Sequence, residues 1–163
     1  MARPRPTPRR RGVELNTRKR LLRWASGIMC TLGAGHLSLL VTFAWADITG
    51  WAARGIWAAV PLALADGGSG ADQTVESLRN EVTFWAGPGS FAVPLILLGC
   101  LIWHLAGRGV AVPAGIGWGL AAWCTLGGVL LVPSPYFAGT IAGALVIAAA
   151  RTGGTSRTRG NRT

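Results

Sequence analysis

The chain has 163 residues, half of them apolar, and 16 Lys or Arg against 6 Asp or Glu, for a formal net charge of +10. That length leaves room for one domain. The charges gather at the two ends and in one internal stretch, leaving long uncharged runs. A water-soluble domain scatters charge along its helices, whereas uncharged apolar runs of about 18 residues or more mark helices that cross a membrane. The expected class is all-α, a polytopic membrane protein.

The location of the charge decides what it is for. Nine of the 16 basic residues are Arg3, Arg5, Arg9, Arg10, Arg11, Arg18, Lys19, Arg20 and Arg23, and four more are Arg151, Arg157, Arg159 and Arg162. Both clusters flank apolar runs, where basic residues mark the cytoplasmic side and attract anionic lipid headgroups. The bilayer and its anionic headgroups are therefore the expected partners. No aromatic or helical reading element accompanies the charge, which argues against nucleic acid. Cys30, Cys100 and Cys124 lie in three different apolar runs without a Cys-x-x-Cys pair, as small packing residues do. The wealth of Gly, Ala, Arg and Trp fits a GC-rich bacterial genome.

In chain order, residues 1–20, "MARPRPTPRRRGVELNTRKR", combine Pro and Arg with little apolar content, and predict a disordered basic cytoplasmic arm. A first span is expected at about 22–45, bracketed by Trp24 and Trp45. Their 21-residue separation rises about 31 Å at 1.5 Å per residue, close to the hydrocarbon thickness of about 30 Å. "AWAD" (Ala44–Asp47) resembles a signal-peptidase site, but the apolar run exceeds the 7–15 residues of a secretory signal, which favours an uncleaved helix. Residues 46–80 carry Asp47, Asp66, Asp72 and Glu76 and predict an extracytoplasmic loop. Within it, Ile48–Ala65 reads as an interfacial segment with Trp51 and Trp57 at headgroup level, and "DGGSGADQ" (Asp66–Gln73) as a flexible loop.

A second span is expected at about 82–106, kinked in its outer half by Pro88 and Pro94, with Trp85 and Trp103 as interface anchors. A turn at Gly107–Pro113 leads to a third span at about 113–132, and "VPSPY" (Val132–Tyr136) to a fourth at about 136–150. Residues 152–163 form a disordered basic tail. The arm, Arg108 and the tail fall on one side and the acidic loop on the other, so four transmembrane helices with both termini cytoplasmic are expected.

Helices bathed in lipid associate through small residues and interhelical hydrogen bonds. Gly115/Gly119 and Gly139/Gly143 are Gly-x-x-x-Gly pairs on the third and fourth spans, predicting antiparallel packing through these grooves. The first span carries a ridge of small residues at Ser26, Cys30, Ala34, Ser38, Thr42 and Ala46, with His36 almost opposite its middle. Both features avoid lipid, which suggests protein on two sides, one of them a second copy in a homo-oligomer.

Two ionisable residues stand as weak catalytic candidates. His36, near the middle of the first span, is a functional candidate because intramembrane ionisable groups are costly; the alternative is a neutral imidazole hydrogen-bonded to another helix through Thr125 or a carbonyl freed by Pro94. Glu81 abuts the second span, either as a helix cap or partner of Arg79, or as a proton carrier at the outer mouth. His104, beside Trp103 and Arg108 at an expected interface, needs no special role. Two histidines without carboxylates at ligand spacing predict no metal site, and no phosphate loop or Ser-His-Asp set predicts a cofactor or a hydrolase.

The stretches "RWASGIMCTLGAGHLSLLV", "EVTFWAGPGSFAVPLILLG", "VPAGIGWGL" and "VPSPYFAGTIAGALVIAAA" resemble a family of small bacterial four-helix integral membrane proteins with no assigned function. The resemblance covers about residues 22–151, and its recognisable points are Gly35–His36 and Glu81, Phe84 and Trp85. It implies a four-helix fold and topology, and no activity. The leading expectation is a non-enzymatic accessory or interaction component of the bacterial cytoplasmic membrane. A small proton-coupled transporter is one alternative. The chain is similar in size to the small multidrug-resistance exporters, whose first span holds a buried glutamate where this one holds His36. A membrane enzyme acting on a lipid or isoprenoid, with Glu81 or an outer-loop Asp as general acid, is the other.

Overall fold

A computed structural model describes residues 8–54, 75–130 and 135–154. The protein is all-α: every element among the described residues is a helix, and none is a strand. The helices are α1 (Pro8–Phe43), α2 (Trp45–Arg54), α3 (Val75–Ala86), α4 (Ala92–Gly107), α5 (Ala114–Leu130) and α6 (Tyr136–Gly154).

Helix α1 runs for 36 residues and begins well inside the segment expected to be disordered. Residues 8–20 are helical because Arg, Lys, Leu and Glu are good helix formers, and extending an existing apolar helix avoids the cost of nucleation. Pro8 stands at the first helical position, where its missing N–H has no intrahelical partner to lose. Residues 1–7 and 155–163 lie outside the described residues.

Within α1, Gly12–Phe43 is the one described helix long and apolar enough to cross a membrane by length and composition. The other apolar helices, Ala92–Gly107, Ala114–Leu130 and Tyr136–Thr152, are shorter. The 16 residues of α4 rise only about 24 Å, against a hydrocarbon core of about 30 Å. Four full-length spans thus give way to one long helix and three shorter ones.

The second expected span is interrupted rather than kinked. α3 ends at Ala86, the chain turns through Gly87–Phe91, and α4 starts at Ala92. Pro88 cannot donate to Phe84, and the Gly89 N–H reaches that carbonyl instead, at 2.9 Å. Pro94 falls in the first turn of α4, where an N–H is dispensable, so it causes no kink.

The chain divides into two compact units, Met1–Leu32 with Leu95–Thr163, and Gly33–Pro94. In the first, Leu22, Ala25, Ser26 and Met29 of α1 are buried, a helical stripe at i, i+3, i+4 and i+7. Ser26 donates its hydroxyl to the Gly99 carbonyl at 2.5 Å. A Cβ on Gly99 would stand 2.8 Å from the Cys30 sulfur, so α1 and α4 meet where neither has bulk. Arg23 lies over the Trp103 ring at 5.3 Å. The α4–α5 turn closes on Gly109, whose φ of +71° favours glycine; the Gly109 and Val110 N–H groups bond back to the Ala106 and Leu105 carbonyls.

Helices α5 and α6 pack extensively against each other. α5 buries Gly117, Leu120, Cys124 and Gly128. A Cβ on Gly143 would meet the Ala121 backbone nitrogen and the Gly117 carbonyl at 2.7 Å, and one on Gly139 would meet the Cys124 sulfur at 2.5 Å. Gly139 and Gly143 therefore lie in the contact as expected. Gly115 and Gly119 do not: open space surrounds both, and Gly117 takes the place assigned to them. Thr125 pairs with Thr140 at 3.1 Å across this contact.

The second unit holds the end of α1, a bend at Ala44, α2 and α3. The expected loop at 46–80 is therefore helical at both ends, over Trp45–Arg54 and from Val75. Its middle, with Trp57 and the Asp66–Gln73 loop, lies outside the described residues.

Candidate functional site: a polar clasp in the second unit

Among the described residues, Gly33–Pro94 brings together two pairs of polar side chains. Asp47 and Trp51 stand one turn apart on α2, on the same face, and Arg79 and Asn80 are neighbours on α3. The Arg79 Nε sits 3.0 Å and 3.1 Å from the two Asp47 carboxylate oxygens. The indole N–H of Trp51 donates to the Asn80 side-chain oxygen at 3.1 Å, in a buried position. A buried indole N–H needs an acceptor, and Asn80, itself buried, supplies it. Trp51 was expected at headgroup level; it is instead 6% exposed, the anchor of the α2–α3 contact.

His36 is the third member of this unit's polar set. Its Nε2 lies 2.7 Å from the Ala86 carbonyl. A carbonyl only accepts, so Nε2 carries the proton and donates. The carbonyl is available because α3 ends there: Ser90, which would bond it in a continued helix, donates to Gly87 instead. The partner is thus a carbonyl released beside Pro88, whereas Thr125 and the carbonyls near Pro94 were expected. Gly87 is buried against Leu40, one turn beyond His36, and a Cβ there would meet the end of the Leu40 side chain. His36 itself is exposed at the protein surface.

Glu81 sits mid-helix in α3, half-buried and partnered, so it does not cap the helix start. His104 is exposed on α4, with Arg108 Nη1 at 3.5 Å. Of the expected small-residue ridge, Ser26 is buried and Cys30 half-buried, while Ala34 and Ser38 are exposed. Trp24, Trp45, Trp85 and Trp103 are all exposed. Trp118 and Trp123 are as well, and sequence reasoning passed over them.

Chemically, the cluster ties backbone and side chains together. Among the described residues, no three His, Cys, Asp or Glu converge in a way that could hold a metal ion. Asp47 pairs with Arg79, and the Nε2 of His36 with a carbonyl. The sequence signals that could have found these contacts are Pro88, two residues past Ala86, and the one-turn spacing of Asp47 and Trp51. The chain matches no family model, no curated protein and no solved structure.

Proposed function

We propose that the chain is a multi-pass protein of the bacterial cytoplasmic membrane, with α1, α4, α5 and α6 as four passes and both termini cytoplasmic. It serves there as a non-enzymatic accessory or interaction component. One observation carries the membrane placement: the size pattern of α5 is inside-out. Gly117, Leu120, Cys124 and Gly128 are buried, while Trp118, Trp123, Leu126, Val129 and Leu130 are 54–70% exposed. Water-soluble helices put their large apolar residues inward, and monomers in water rarely expose apolar patches beyond a few hundred Å2. Lipid reverses the preference, because only small residues let helices approach and large ones lose nothing by facing acyl chains. Leu97 and Leu101 on α4 and Ile141 on α6 follow the same rule.

The short passes are compatible with this placement, since helices shorter than the hydrocarbon are accommodated by local thinning and flanking anchors. The clasp supports a structural rather than catalytic role for the second unit, because its ionisable groups are spent on one another and on backbone.

Reporter fusions test the topology. A cytoplasm-active reporter should work after Arg108 and after Arg151, and a periplasm-active one when inserted in residues 55–74. A periplasm-active signal after Arg151 would overturn the four-pass topology. Substrate accumulation driven by a proton gradient in vesicles of the purified protein would replace the accessory role with transport.

A further inference from the structure

A cavity of about 260 Å3 lies in the first unit, between the beginning of α1 and the α4–α5 turn. The clasp and the helix packing make no use of it. Asn16, Arg18 and Lys19 contribute its polar wall, and Leu22, Ala106 and Val110 its apolar one. Leu22 and Ala106 are each 1% exposed, so the inner part of the apolar wall belongs to the packed interior, while Val110 forms its exposed rim. The polar wall holds two cations one residue apart and an amide one turn before Lys19.

Arg18 carries the decisive detail. Its Nη2 is shut off from solvent and has no hydrogen-bond partner among the described residues, in a side chain that is otherwise half-buried. Glu14, one turn earlier on α1, forms no ion pair with it among the described residues. A buried guanidinium nitrogen left without an acceptor is costly, and its planar fork matches the oxygens of a phosphate or carboxylate. The basic terminal arm and tail share its charge sign and make poor counterions.

We infer that this cavity is a binding site for the phosphate group of an anionic phospholipid. Arg18 and Lys19 neutralise the phosphate, Asn16 donates to it, and the Leu22–Ala106–Val110 wall receives the start of the glycerol and acyl portion. An amphipathic cavity suits an amphipathic ligand. Basic pockets between membrane helices on the cytoplasmic side hold lipid headgroups by this combination. The inference rests on the proposed membrane placement for the source of the phosphate; the anion chemistry of the cavity does not depend on it.

The test uses the full chain in a neutral detergent, with ligand retention read by native mass spectrometry and protection read by thermal unfolding. The probes are phosphatidylglycerol, phosphatidylcholine and inorganic phosphate. Phosphatidylglycerol should be retained and should protect more than phosphatidylcholine. Arg18→Gln and Lys19→Gln should each weaken its retention about fivefold, the effect of one basic residue beside an anionic headgroup. Arg157→Gln with Arg159→Gln, which removes twice that charge from the tail, should leave retention within about twofold. Equal losses from the tail variant would show diffuse attraction and overturn the site. Protection by inorganic phosphate without retention of phosphatidylglycerol would overturn the lipid as ligand. Arg18→Lys keeps the charge without the fork and should fall between wild type and Arg18→Gln; unfolding of each variant without added probe separates a binding loss from a folding loss. Alkaline extraction of cell membranes reads the membrane placement separately, so its failure is distinguishable from failure of the cavity.

Discussion

An imidazole in an apolar helix needs a polar partner, and in this protein the partner is created by a break in another helix. His36 donates to the Ala86 carbonyl that the Pro88 turn releases. Where water is scarce, an unsatisfied carbonyl costs several kcal/mol, so a donor at that place has a clear structural value. His36→Leu should lower stability by about 1–3 kcal/mol, the usual cost of leaving such a group unpaired, seen as a lower midpoint of thermal unfolding in detergent. His36→Gln keeps a donor and should fall between Leu and wild type. If both variants instead unfold like wild type, the bond contributes nothing. The two polar contacts of the clasp should differ in weight. Asn80→Leu strips the buried Trp51 N–H of its acceptor and should cost about 1–3 kcal/mol. Asp47→Asn breaks a pair whose arginine is 67% exposed and should cost under about 1 kcal/mol. Urea or thermal unfolding of the two variants side by side checks the order.

At the scale of elements, the existence of the helices was legible and several of their ends were not. Apolar runs marked α4, α5 and α6 because a run without charge can only be buried or lipid-facing. The sequence predicts a kink where the structure breaks at Gly87–Phe91. Proline chemistry alone does not say whether the following N–H groups will rejoin the ladder or, like Gly89, reach back past it. The Gly-x-x-x-Gly pairs illustrate the same limit. Both were visible on α5 and α6, yet a helix can rotate to bring Gly117 rather than Gly115 and Gly119 to the contact, with the same spacing of small residues. Gly117→Leu and Gly143→Leu should each destabilise strongly, since a Cβ already meets backbone atoms at 2.7–2.9 Å; forced overpacking of this kind costs about 1–3 kcal/mol or more. Gly115→Leu points into open space and should leave the unfolding midpoint unchanged. A matching loss at Gly115 would place that face in a contact.

For the whole molecule, the asymmetry of charge is the feature with the widest consequence. Basic residues stand at the arm, at Arg108 and at the tail, and the acidic stretch between 46 and 80 stands apart from them. In the proposed topology this holds both termini in the cytoplasm. Replacing Arg9, Arg10 and Arg11 with Gln in a soluble peptide of the arm should weaken binding to anionic vesicles, chiefly at low salt, because exposed charges are screened beyond about 10 Å at 0.1 M. Equal binding of the peptide to neutral vesicles would remove charge as the driver.

Helical class, the positions of the apolar runs, the clustering of the basic residues at the two ends and the exposed tryptophans Trp24, Trp45, Trp85 and Trp103 were all legible in sequence alone, because each depends on composition and local periodicity. Tertiary structure decided which small residues touch, that Trp51 is buried on Asn80, that Asp47 pairs with Arg79, and that the carbonyl of Ala86 receives His36. It also decided that Arg18 lines a cavity beside Leu22 and Ala106. These are contacts between residues far apart in the chain, as with His36 and Ala86, set by the rotation and ends of whole helices. Neither helix propensity nor hydrophobic periodicity carries that information.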